Sequence, residues 1–121
     1  MSAKRILIID NRPEHLRQPV LRLQVEGFDV EEAHSEDEGL RRLREVRFDL
    51  LLLDAEMPEG DGWETLRRIR EDPELAALKV IIFMAGQGET GKLGLVPVDG
   101  ELRRPFSMGQ LLAAVQKVLG G

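Results

Sequence analysis

The chain has 121 residues, enough for one domain and one hydrophobic core and hardly enough for a second. With 42% hydrophobic and 32% charged residues it reads as an ordinary globular protein, and the absence of cysteine removes disulfides, thiol nucleophiles and Cys-ligated metal centres. A formal charge of -5 gives no general attraction for nucleic acid. The apolar run after Lys4-Arg5 stops at Asp10, short of a signal-peptide core, and no stretch reaches the ~18 apolar residues of a membrane span. The expectation is one domain over 1–121, cytoplasmic, with no nucleic-acid or membrane partner.

Arg5–Ile9 is a short branched run, long enough for a strand and too short for a helix. Pro13 then suits a helix start, Leu16, Val20 and Leu23 share a face, and Gly27 suits the stop; Pro19 inside the stretch predicts a kink rather than a break. Residues 28–33 read as a second strand, after which Ser35 and Glu38 have capping-box spacing ahead of Leu40, Leu43 and Val46. Residues 48–53 form the third strand, whose unbroken leucine run suits a centre buried on both faces. A helix from near Trp63 turns Leu66 and Ile69 inward until Asp72-Pro73, which ends it or caps a further short turn. Residues 80–84 are a fourth strand, and Ser107 with Gln110 caps a last helix carrying Leu111, Leu112, Val115, Val118 and Leu119 up to Gly120.

Strands alternating with helices imply βαβ units and a parallel sheet covered on both faces. Ligands of such sheets sit beyond the carboxyl ends of the strands, at the switch in strand order. Asp10 and Asn11, Asp54 and Ala85 follow the first, third and fourth strands. Asp10 and Asp54, with Asn11 and Glu56 near them in sequence, offer hard oxygen ligands suited to Mg²⁺. Equally, an Asp commonly ends a strand or caps a helix, and spacing alone leaves both readings open.

Three segments carry a resemblance over nearly the whole chain. They are Lys4-Arg5-Ile6-Leu7-Ile8-Ile9-Asp10, then Asp49-Leu50-Leu51-Leu52-Leu53-Asp54-Ala55-Glu56-Met57-Pro58-Glu59-Gly60-Asp61-Gly62, and Leu102-Arg103-Arg104-Pro105-Phe106. Together they resemble the receiver domain of two-component response regulators, the middle segment being the most specific. The resemblance implies a flavodoxin-like (βα)₅ fold, a five-stranded parallel sheet with helices on both faces. It implies that Asp54 takes a phosphoryl group from a histidine kinase or phosphotransfer protein. Mg²⁺ would be held by Asp10, Asn11, Asp54 and the backbone carbonyl of Glu56. Arg104 would neutralise the phosphoryl charge, and the Arg104-Pro105 peptide would be cis.

The departures from that pattern matter as much. Asn11 stands where a second carboxylate is usual, so weak Mg²⁺ binding is expected. Arg104 replaces a lysine, keeping the charge but not the shape. Ala85 stands where a hydroxyl reports phosphorylation, and Glu101 where an aromatic ring swings inward, so the usual output switch is depleted. An atypical, phosphorylation-independent interaction module is therefore the alternative. If the chain is complete, it has no output domain, is not an enzyme, and acts through a downstream protein partner.

Gly86-Gln87-Gly88-Glu89-Thr90-Gly91-Lys92 satisfies most of a phosphate-binding loop, but Leu93 replaces the metal-binding hydroxyl, which leaves a small nucleotide-binding protein as a third, weaker reading. Within the receiver resemblance the same glycines predict a fourth helix, over residues 86–98, that is short, distorted or absent. Arg41, Arg42, Arg44 and Arg47, and Arg67, Arg68 and Arg70, are expected to be solvated faces paired with neighbouring Glu. His15 and His34 lack metal-ligand spacing.

Overall fold

The structure, a computed structural model, describes residues 3–57, 60–84 and 96–120. In chain order its elements are β1 (Arg5–Ile9), α1 (Pro13–Val25), β2 (Asp29–Ala33), α2 (Glu36–Glu45), β3 (Leu50–Asp54), β4 (Glu56–Met57), β5 (Gly60–Asp61), α3 (Gly62–Glu71), β6 (Lys79–Met84), β7 (Gly100–Arg103) and α4 (Met108–Val118). Five strands pair in parallel in the order β2-β1-β3-β6-β7, and β4 and β5 form a small antiparallel pair of their own. The order reverses direction beside β1, so the switch point lies between the carboxyl ends of β1 and β3.

The pleat divides the core into two layers, because alternate residues of a strand face opposite sides. Leu7, Ile9, Leu51, Leu53, Val80 and Ile82 pack with Leu43, Trp63, Leu66 and Ile69 from α2 and α3. Ile6, Ile8, Leu50, Leu52, Ile81 and Phe83 pack with Leu16 and Leu23 of α1 and Leu111 and Val115 of α4. Leu50, Leu51, Leu52 and Leu53 are all fully buried, and truncating any of them to Ala is expected to cost about 2–5 kcal/mol. A layer of this kind makes the strand ends a rigid platform.

Most of the expected elements are present, shifted by a residue or two. Helix α1 runs unbroken through Pro19 and is followed by Gly27 at φ 98°. The Ser107–Gln110 capping box closes in both directions. At α2 only half of the expected box forms: Ser35 Oγ accepts the Glu38 N–H, but the Glu38 carboxylate reaches the His34 N–H instead of that of Ser35. Asp72 caps a further turn through the Glu74 N–H. The β4–β5 pair was not expected. Strand β7, Gly-Glu-Leu-Arg, carries no apolar run of its own and was implied only by the resemblance. The region expected to hold the fourth helix lies, between 85 and 95, outside the described residues. Among the described residues, no helix is long and apolar enough to cross a membrane.

Three of the seven arginines expected to pair with Glu do so, and Arg44 meets Asp72 instead. Arg42 meets Glu31 and Glu45, Arg67 meets Glu64, and Arg68 meets Glu36. Arg70 is different. Its side chain is 14% exposed and donates to the carbonyls of Ala76, Leu78 and Pro97 and to Asp99, tying the end of α3 to the entries of β6 and β7.

Candidate functional site

The register of β1 on β3 pairs Ile9 with Leu53, so the next residues, Asp10 and Asp54, emerge side by side beyond the apolar layer. Both are fully buried, and with Thr65 they are the buried polar side chains among the described residues. A buried carboxylate needs a partner for each oxygen, and the two strand-following loops supply them.

Asp54 Oδ1 accepts the Glu56 N–H at 2.9 Å and an Arg104 Nη1 hydrogen bond at 3.3 Å, while Oδ2 accepts from Arg12 Nη2 at 2.8 Å. Asp10 Oδ1 accepts the Arg12 backbone N–H at 2.9 Å, and Oδ2 accepts from Arg104 Nη2 at 3.2 Å. Arg104 therefore bridges the two carboxylates from the β7 side, across the cis Arg104–Pro105 peptide that the resemblance implied. Its guanidinium carbon lies 5.4 Å from the centre of the Phe83 ring, which is itself tilted against Phe106 at 5.1 Å. That contact supports Arg104 from beneath.

Arg12 completes the site from the other side, and it is the residue that sequence reasoning missed. It precedes Pro13, whose ring disfavours helical backbone before it, and it stands as the extended N-cap of α1 at φ -113°, ψ 96°. From there its guanidinium lies over Asp54, with Nη2 also 3.5 Å from the Glu56 carbonyl oxygen and Nε 3.7 Å from Asp10 Oδ1. The available signal was its place: a cation directly after Asp-Asn and directly before a proline at a strand end. His15, one turn into α1, holds Nδ1 3.6 Å from Asp10 Oδ2.

Burial holds the Asp10 carboxyl above the usual carboxylate range, with the Asp54 charge adding to the effect. The Arg12 N–H, Arg104 and the Arg12 guanidinium pull the other way. The hydrogen bond to Asp54 holds the Arg12 guanidinium more firmly protonated than usual.

Gly62 explains the closeness of the α3 start to the site. A Cβ there would lie 2.3 Å from the Asp54 carbonyl oxygen and 2.6 Å from Ala55 Cα. The Gly62 N–H donates to the Ala55 carbonyl at 3.2 Å, so the Asp-Gly of the motif is a close-approach requirement. Glu101 sits exposed on β7, beside Ile82 in register. Ala85 and the loop from Gly86 to Lys92 lie outside the described residues.

The oxygens expected to hold Mg²⁺ are mostly engaged. Both Asp10 oxygens, both Asp54 oxygens and the Glu56 carbonyl contact a guanidinium or an N–H, and only Asn11 Oδ1 is buried with no partner. Among the described residues, no group of three or more His, Asp or Glu side chains converges on a point. With Arg12 seated, this donor set does not fit a divalent cation.

Residues 6–116 match the response regulator receiver domain family. The transcriptional regulatory protein TrcR of Mycobacterium tuberculosis is 32% identical over 120 residues, which are 98% of this chain and 46% of TrcR. This chain spans about half the length of several such curated relatives; a relative of similar size is Protein PilH of Pseudomonas aeruginosa, 29% identical over 97% of this chain and 98% of PilH. Among solved structures, a CheY-like response regulator receiver domain protein from Methanospirillum hungatei superposes with a TM-score of 0.87 at 28% identity, over 98% of this chain and 95% of that one. Two adjacent buried Asp residues at the switch point of a sheet ordered β2-β1-β3-β6-β7, a basic residue before a cis proline, and this match over nearly all of the sequence converge: the chain belongs to the response regulator receiver domain family of two-component signalling.

Proposed function

We propose that Asp54 is the phosphoacceptor of this receiver, taking its phosphoryl group from a histidine kinase or phosphotransfer protein and passing the change on to a downstream protein partner. The observation that carries the reading is Asp54 itself, buried at the end of β3 with a separate guanidinium on each carboxylate oxygen. In the transfer, an Asp54 oxygen bonds to phosphorus as the donor's P–N bond breaks, and the donor nitrogen keeps the electron pair and takes up a proton. The developing charge falls on oxygens that Arg12 and Arg104 are placed to meet. Oδ2 is covered by Arg12, but that side chain is 36% exposed and can withdraw toward solvent to admit the donor. Asp10 holds Arg104 in register. Mg²⁺ binding, expected from the family and weak because of Asn11, has few free oxygens to use.

The covering of Asp54 also supports a second reading, that of an interaction module working without phosphorylation, to which Ala85 and the exposed Glu101 add weight as losses at the switch positions. One experiment decides between them. Incubation with a small phosphoramidate donor followed by intact-mass measurement should add one phosphoryl group to the wild type and none to Asp54→Ala. An unmodified wild type favours the interaction module.

A further inference from the structure

We propose that Arg12 is the resident cation of this site: its guanidinium fills the position between Asp54 Oδ2 and the Glu56 carbonyl that a divalent metal would otherwise take, and thereby keeps metal out of the native chain. The inference deepens the phosphoacceptor reading and rests on it for its functional consequence, but its physical basis is the charge and geometry of the site as it stands.

The geometry comes first. A single nitrogen, Arg12 Nη2, lies 2.8 Å from Asp54 Oδ2 and 3.5 Å from the Glu56 carbonyl oxygen, so one positive group already serves two hard oxygens. The same side chain brings Nε to 3.7 Å from Asp10 Oδ1. The charge comes second. Asp10 and Asp54 carry two negative charges at full burial, and Arg12 and Arg104 carry two positive ones. The four side chains are neutral together, and a divalent ion added among them would leave a net charge of +2 where solvent screening is poor.

Removing Arg12 reverses this balance. The four-group site becomes a three-group site of net charge -1, and Asp54 Oδ2 and the Glu56 carbonyl lose their common partner. Asn11 Oδ1, in the same loop, is an uncharged oxygen already buried without a hydrogen-bond partner. Asn11 alone weakens a metal site; Arg12 occupies it. The local sequence enforces the seat, since Pro13 holds the Arg12 backbone extended at the N-cap.

The test is a titration of the full chain with MgCl₂ by calorimetry, repeated with MnCl₂ while amide signals near Asp54 and Ala55 are followed for paramagnetic broadening. Wild type and Arg12→Gln are compared, with Arg12→Lys as a variant that keeps the charge, and a dispersed amide spectrum shows that each is folded. The expected result is saturable binding by Arg12→Gln that is more than about tenfold tighter than any by wild type or Arg12→Lys. Equal binding by wild type and Arg12→Gln overturns the proposal, and so does an absence of binding in both. No phosphodonor is present, so failure of Arg12 as resident cation and failure of Asp54 as phosphoacceptor are read separately.

Discussion

Two arginine–carboxylate clusters in this protein use the same chemistry at opposite exposures. At the carboxyl end of the sheet, Arg12 and Arg104 face Asp10 and Asp54, both fully buried. On the outer surface of β2 and α2, Arg42 meets Glu31 and Glu45, which are 36% and 47% exposed. The carboxyls respond in opposite directions. Burial raises Asp10 in spite of its cations, whereas the hydrogen bond from Arg42 lowers Glu31. An ion pair is thus not a fixed quantity: desolvation dominates where the sheet ends, and direct pairing dominates at the surface. Only the first cluster stores charge in a place where a reacting group would feel it.

That comparison breaks most visibly at Gly62, which lets α3 close over the buried cluster. Gly62→Ala pushes a methyl group into the Asp54 carbonyl and the Ala55 backbone. The expected loss is about 3 kcal/mol, seen as a lower denaturation midpoint with an unchanged slope. A smaller effect is expected from Arg104→Ala, which takes one partner each from Asp10 and Asp54 but leaves both in contact with Arg12. With the Arg104 side chain one-quarter exposed (25%), the loss is about 1–2 kcal/mol by urea unfolding.

The surface cluster should give the smallest effect, and one that depends on pH. The folded value of Glu31 lies below its unfolded one, so its stabilisation is complete above the unfolded carboxylate range and is lost as pH falls through the lowered value. Glu31→Gln should therefore leave the neutral-pH Tm within a few degrees of wild type and make Tm fall less steeply on acidification. Asp10 has the opposite sign. Its charged form opposes folding at neutral pH, and that cost is relieved as pH falls through its raised value. A scan of Tm from pH 7 to acid for the wild type and Glu31→Gln reads the surface contribution alone.

How far the sequence revealed these features follows from where each force acts. Strands β1, β3 and β6 are buried on both faces, so their apolar runs mark them directly. Edge strand β2, Asp-Val-Glu-Glu-Ala, was still legible within residues 28–33, whereas edge strand β7, Gly-Glu-Leu-Arg, leaves no apolar run to read. Asp10, Asp54 and Arg104 were legible because they follow strands or precede a proline in a specific motif. Arg12 was harder to read: its place between Asp-Asn and a proline was the one signal, and a lone arginine does not tell whether it reaches solvent or folds back over a strand end. Arg70 was hidden for the same reason: its sequence neighbours Arg67 and Arg68 pair at the surface, and only the packing of α3 against β6 and β7 distinguishes it.

The most direct test of the central claim, that the buried cluster is the reactive one and Asp54 its acceptor, is chemical mapping of the modified residue. After treatment with a phosphoramidate donor, borohydride reduction converts an acyl phosphate to the corresponding alcohol, homoserine where the residue is Asp, and peptide mass spectrometry locates it. The account predicts homoserine at position 54, with Asp10, Glu31 and Glu45 unchanged and no conversion in Asp54→Ala. A reduced side chain at any other carboxyl, homoserine at an Asp or 5-hydroxynorvaline at a Glu, or no reduced residue at all in the wild type, would contradict it.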